Sequence, residues 1–105
     1  MADTLSRLAG PANIASGTST VFTGTAAHIY TIRSILVVND SASSVTLKLG
    51  INGVTDPDLI LPSTAIGVGE RLEFDGLVVL TGTNTLQADA SATGLTITVS
   101  GLDQV

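Results

Sequence analysis

Apolar and polar residues alternate with a period of two along most of this chain, a pattern that reads as β-strand. In the longest such stretch, Ile29 to Asn39, Tyr30 and Ile32 share one face and Thr31 and Arg33 the other, after which the alternation stops. Ile35, Leu36, Val37 and Val38 form an unbroken apolar run, suited to a strand covered on both sides or one whose outer face meets a partner. A buried helix could carry the same run, but the β-branched content and the Asn39-Asp40-Ser41 turn signal favour a strand. We read it as the central strand, with Tyr30 and Ile32 in the interior. If the chain is an assembly piece, Ile35 and Val37 are the positions expected to meet a neighbouring subunit.

Further strands follow the same logic. Ser19 to Thr23 is expected as a first strand around Val21 and Phe22. Ser44 to Ile51 alternates cleanly, with Val45, Leu47, Leu49 and Ile51 on one face and Thr46, Lys48 and Gly50 on the other. Asn52-Gly53 closes it, because both residues tolerate positive φ. Asp58 to Leu61 is a short strand that Pro62 ends or confines to a sheet edge. Glu70 to Phe74 buries Leu72 and Phe74, and Leu77 to Leu80 is apolar on both faces. Thr85 to Ala90 and Leu95 to Ser100 complete the set, joined by the hairpin-length loop Ser91 to Gly94.

About eight strands at spacings near ten residues, separated by turn residues, predict an all-β fold. The expectation is a single antiparallel two-sheet sandwich or jelly roll. No stretch sustains helical periodicity between strands, which disfavours a parallel βαβ architecture, and no internal repeat points to a solenoid or propeller.

Residues 1–13 are read as an N-terminal arm ahead of a β-sandwich domain over residues 14–105. Leu5 and Leu8 have a helix-like spacing, but Gly10 and Pro11 stop any helix within about two turns. Such a segment either frays or docks on something. Leu5, Leu8 and Ile14 give it apolar residues to dock with. The candidate interface residues are therefore Leu5, Leu8, Ile14, Ile35 and Val37.

Composition narrows the picture. With 105 residues there is room for one core. Hydrophobic residues make up 44% and aromatics only 3%, so that core must be built from Val, Ile, Leu and Ala. The net charge of −5 includes four basic residues, Arg7, Arg33, Lys48 and Arg71, scattered along the sequence. Nucleic-acid binding needs clustered Lys or Arg, or aromatic stacking platforms, so no nucleic-acid partner is expected. Cysteine is absent, which removes disulfides, thiolate nucleophiles and zinc–thiolate sites. The first ten residues lack the basic start and apolar segment of a secretory signal. Nothing later approaches the roughly 18 apolar residues of a membrane span, so no membrane partner is expected.

Groups that carry chemistry are few. His28 is the sole histidine, so a histidine metal cluster is impossible and a Ser-His-Asp triad would have to use this one residue. No Gly-x-Ser-x-Gly elbow exposes a serine. Asp56 with Asp58, and Glu70 with Glu73 and Asp75, are the carboxylate pairs a glycosidase reading would need, and they read better as turn and surface residues. Asn52, Asp56 and Asp58 lack the spacing of an EF-hand loop. Gly67-Val68-Gly69 lacks the further Gly, Lys and helix of a phosphate cradle. We therefore assign no catalytic, cofactor-binding or metal-binding residue, and expect no enzyme and no cofactor.

Several successions together carry a family likeness: Ile32-Arg33-Ser34-Ile35-Leu36-Val37-Val38-Asn39, then Ser41-Ala42-Ser43-Ser44-Val45-Thr46-Leu47, Leu77-Val78-Val79-Leu80, Leu86-Gln87-Ala88, and Leu95-Thr96-Ile97-Thr98-Val99-Ser100-Gly101. From about Ala12 onward the chain resembles small β-sandwich structural proteins of tailed bacteriophages, most of all capsid decoration (cement) proteins. The resemblance implies a virion structural protein on the capsid surface, made in the host cytoplasm, with the major capsid protein as its partner. It also implies a homo-oligomer, a trimer in many decoration proteins. Two alternatives stand beside it: a tail or baseplate component, and a carbohydrate-binding or host-adhesion module. The last needs an exposed aromatic platform, for which Tyr30 is the available residue.

Overall fold

A computed structural model describes residues 3–104, with the side chains of residues 3–5 and 56 outside that description. Among the described residues nine strands form two antiparallel sheets. In chain order they are β1 (Asp3–Ile14), β2 (Gly17–Thr23), β3 (Ile29–Asn39), β4 (Val45–Ile51), β5 (Leu59–Ile66), β6 (Arg71–Phe74), β7 (Val78–Thr81), β8 (Thr85–Ala90) and β9 (Leu95–Gln104). A 3-10 turn, Asp56–Asp58, precedes β5. The first sheet has the order β1-β9-β3-β6, with β7 also on β3, and the second has the order β2-β8-β4-β5.

Both sheets owe their cohesion to period-two patterning. Tyr30, Ile32, Leu80, Leu95, Ile97 and Val99 line the inner face of the first sheet, and Val45, Leu47, Leu49, Leu86, Ala88 and Ala90 that of the second, all buried in one core. Burial of such side chains, about 1.5–3 kcal/mol each for Val, Leu and Ile, is what offsets the loss of chain entropy.

Four sequence expectations are corrected. The first concerns the central strand, whose limits match the sequence reading but whose alternation changes phase halfway. Ile32 pairs with Gly101 and Ser34 with Ser100, leaving Arg33 as an extra residue in the ladder with β9. Such a bulge shifts every later side chain to the opposite face. Ile35 and Val37, expected on the outer face, are thus 1% and 0% exposed in the core, and the outward positions are Leu36 and Val38. The opposite edge of β3 divides at the same place. There β7 pairs with Ile29 to Ile32 and β6 with Ile35 to Val38. Gly101 belongs to this junction, since a Cβ there would collide with the Thr31 carbonyl oxygen.

The second correction is at the N-terminus, where Asp3–Ile14 is strand rather than helical turn or frayed end. It runs antiparallel to β9, from Asp3 opposite Gln104 to Ile14 opposite Leu95. Two leucines three residues apart are too short a pattern to separate helix from strand. The deciding factor is a partner: β9 extends to Gln104, past the Ser100 expected from sequence, and supplies a ladder along the whole segment. Irregularities between Arg7 and Ala9 and between Ala9 and Ala12 accommodate Gly10, whose φ of 79° glycine adopts readily.

Third, Ser91 to Gly94 is not a hairpin, because β8 and β9 lie in different sheets. Of the turns read from sequence as strand connections, the one after β4 does join paired neighbours, β4 and β5. Fourth, the strand expected over Asp58 to Leu61 runs Leu59–Ile66; of the two readings given for Pro62, ending the strand or confining it to a sheet edge, the second holds, since β5 is an edge strand where a missing N–H is tolerated.

Candidate functional site

Among the described residues, the constellation with chemical character lies where the start of β3 meets the end of β9. His28, just before β3, places Nδ1 2.7 Å from Asp103 Oδ1 on β9, with side-chain exposures of 24% and 32%. Its ring stacks on Tyr30 at 5.6 Å and 14°, and Tyr30 meets Phe22 of β2 edge-on at 4.9 Å. The Tyr30 hydroxyl accepts a hydrogen bond from the Thr25 N–H at 3.0 Å. These contacts make an aromatic plug between the sheets. Two parts of a proton relay are present, yet among the described residues no serine hydroxyl hydrogen-bonds His28, and no cavity opens beside the pair.

Burial of Tyr30, at 4% exposure, overturns its reading as an aromatic platform. A sugar-stacking ring needs an open face, and this buried ring is stacked by His28, met by Phe22 and held at its hydroxyl by Thr25. Among the described residues no group of three or more His, Cys, Asp or Glu side chains could hold a metal ion. No helix among them is long and apolar enough to cross a membrane.

The candidate interface residues fare unevenly. Ile14, Ile35 and Val37 are core residues at 3%, 1% and 0% exposure, so none of them offers surface to a partner in this fold. Leu8 is half-buried and packs against the core. Leu5 pairs with Leu102 through the backbone, but its side chain lies outside the described residues.

Sequence reasoning missed the outer face of the first sheet. Among the described residues the exposed large hydrophobic ones are Ile29 (39%), Val38 (37%), Val68 (58%), Leu77 (71%) and Val79 (54%). Val68 sits in the turn before β6, and by strand alternation the other four belong to this one face or its margin. Thr31 stands between Val79 on β7 and Leu102 on β9, and Ile29 follows two residues away. The outer face of the second sheet differs. Thr18, Thr20, Thr46, Lys48, Gln87 and Asp89 line it, and Gln87 Nε2 donates to Thr20 and Thr85 at 3.0 and 2.9 Å. The missed signal was Val79 and Leu77, whose run reads as buried on both faces unless the strand is known to lie at an edge.

An all-β sandwich whose first sheet carries exposed apolar residues among Thr, Ser and Arg on its outer face, and whose second sheet is polar outside, is the class that these observations define. No family model matches the chain, and no curated protein matches it. Among solved structures, it is similar to a pentameric capsid protein isolated from metagenomic phage sequences, in two crystal structures. One gives a TM-score of 0.43 at 17% identity, covering 93% of this chain and 59% of that one. The other gives 0.44 at 18%, covering 93% and 61%. The chain thus spans about three-fifths of the length of those structures.

Proposed function

We propose that this chain is a virion structural protein of a tailed bacteriophage that binds the capsid surface as a decoration (cement) protein, working as an oligomer, a trimer by its resemblance. The observation that carries the reading is the asymmetry of the two outer faces. A monomer in water gains nothing from exposing Ile29, Leu77 and Val79 together, and contiguous apolar surface of this kind marks contact with another macromolecule. The resemblance of the strand-and-turn successions to phage decoration proteins supports the same reading. So does the strand order. With β6 and β7 taken as two halves of one strand, β1-β9-β3-β6/β7 and β2-β8-β4-β5 follow the strand order of an eight-stranded jelly roll, a fold used in viral capsids.

The test is low-dose electron microscopy of particles assembled with and without the chain, combined with sedimentation of the purified protein. Added density on the outer capsid shell and a multiple of the 10.6 kDa chain mass are expected. Density at the tail or baseplate would replace this reading with the tail-component alternative.

A further inference from the structure

Folding gathers basic residues that the sequence scatters. Three of the four, Arg7, Arg33 and Arg71, stand on the outer face of the first sheet, and the fourth, Lys48, on the second. Arg71 is matched by Glu73 at 3.0 Å. Arg7 and Arg33 are both exposed and make no ion pair among the described residues. Register puts them in one row across the sheet: Arg7 faces Ser100, and Ser100 faces Ser34 at the bulge next to Arg33. They are separated by two strand spacings, roughly 10 Å. Without the extra residue in β3, Arg33 could not share this row while Ile35 and Val37 fill the core.

The apolar residues adjoin that row. Leu77 and Val79 flank it at the β7 edge, and Ile29 and Leu102 lie beyond it around Thr31. Among the described residues three basic side chains make no ion pair, and a chain of net charge −5 presents two of them, Arg7 and Arg33, beside its exposed apolar surface, the third being Lys48 on the second sheet. Arginine on an apolar field is the composition of a protein-interface centre, because the guanidinium pairs bidentately with carboxylates and loses little on dehydration.

The geometry points to this face as the docking surface for a second protein whose own surface is apolar and carries carboxylates opposite Arg7 and Arg33. The inference rests on the capsid-binding reading and names the surface that does the binding. Carboxylates at that spacing pair with the two arginines while Ile29, Leu77, Val79 and Leu102 are covered. The polar second sheet stays in solvent.

The experiment measures rebinding of the purified full-length chain to capsid shells that lack it, by co-sedimentation across a salt series. The double reversal Arg7→Glu with Arg33→Glu should weaken binding at least about 100-fold, since like charges set against each other across an interface cost several kcal/mol. Leu77→Ser with Val79→Ser should weaken it about 10-fold. Wild-type binding should fall with salt, and Thr20→Glu with Lys48→Glu on the second sheet should bind as wild type. Urea unfolding of each variant confirms that it is folded. Wild-type binding that survives both first-sheet variants overturns the docking face and leaves the capsid reading intact. Absence of wild-type binding overturns both. If the first-sheet variants dissociate the oligomer yet still bind shells, the face joins copies of the chain and the inference is wrong.

Discussion

Asn39, at the end of β3, is the buried polar residue among the described residues, with 0% exposure. Its side chain is fully engaged. Nδ2 donates to the carbonyl oxygens of Ser43 at 2.9 Å and Ile66 at 2.8 Å. Oδ1 accepts from the Ser41 N–H at 2.9 Å and the Ser41 hydroxyl at 2.7 Å. One amide thus ties β3 in the first sheet to the end of β5 in the second, and shapes the turn between β3 and β4. Asn39→Ala removes all four bonds. Three of the four bonds are only part-buried, so at about 0.5–1 kcal/mol for each, the lower part of the usual range, the loss comes to about 2–4 kcal/mol. Against a domain stability of about 5–15 kcal/mol that is a large fraction. With a urea slope near 2 kcal/mol/M, the unfolding midpoint should fall by about 1–2 M. Asn39→Asp separates donation from volume, because it keeps the shape and the Oδ1 acceptor but turns an oxygen toward two carbonyls. Burial and those carbonyls raise the folded-state pKa of the introduced acid above its unfolded value. Its deficit relative to wild type is therefore smallest below the ordinary carboxyl range and grows as pH rises through the raised value. The measurement is urea unfolding of the three proteins at pH 4 and pH 7. An aspartate variant as stable as wild type at pH 7, or an alanine variant within about 0.5 kcal/mol of it, would refute the account of Asn39 as the link between sheets.

The bulge at Arg33 makes a paired prediction: Ile35→Ala should cost about 2–5 kcal/mol, as a core truncation does, whereas Val38→Ser should change stability by under about 1 kcal/mol. Equal effects in urea unfolding would mean that the faces are not exchanged. Gly101→Ala should destabilise the fold by about 2 kcal/mol or more, because its Cβ would run into the Thr31 carbonyl and force the β3–β9 ladder apart; a thermal midpoint equal to wild type contradicts this. His28→Ala should cost at most about 1 kcal/mol, since the Asp103 pair is partly solvated. By the same denaturation assay Tyr30→Phe should cost about 0.5–1.5 kcal/mol for the lost Thr25 hydrogen bond.

The sequence by itself determined the fold class and most strand limits, because alternation and turn residues are local signals. Ile29–Asn39 and Thr85–Ala90 match the sequence reading residue for residue. It also determined which types of chemistry are scarce, through one histidine and no cysteine. Strand partners lay outside its reach. Short loops such as Ser91 to Gly94 carry no record of whether they turn back within a sheet or cross to the other, and residues 3–14 became a strand only because β9 lies beside them. The candidate interface was the part least legible. Which half of Ile35 to Val38 faces outward depends on a single unpaired residue, Arg33, whose bulge is a property of the ladder with β9 and leaves no mark in the apolar pattern. The same holds for the row of Arg7 and Arg33. Twenty-six positions separate them in the chain, and only strand pairing through β9 sets them side by side.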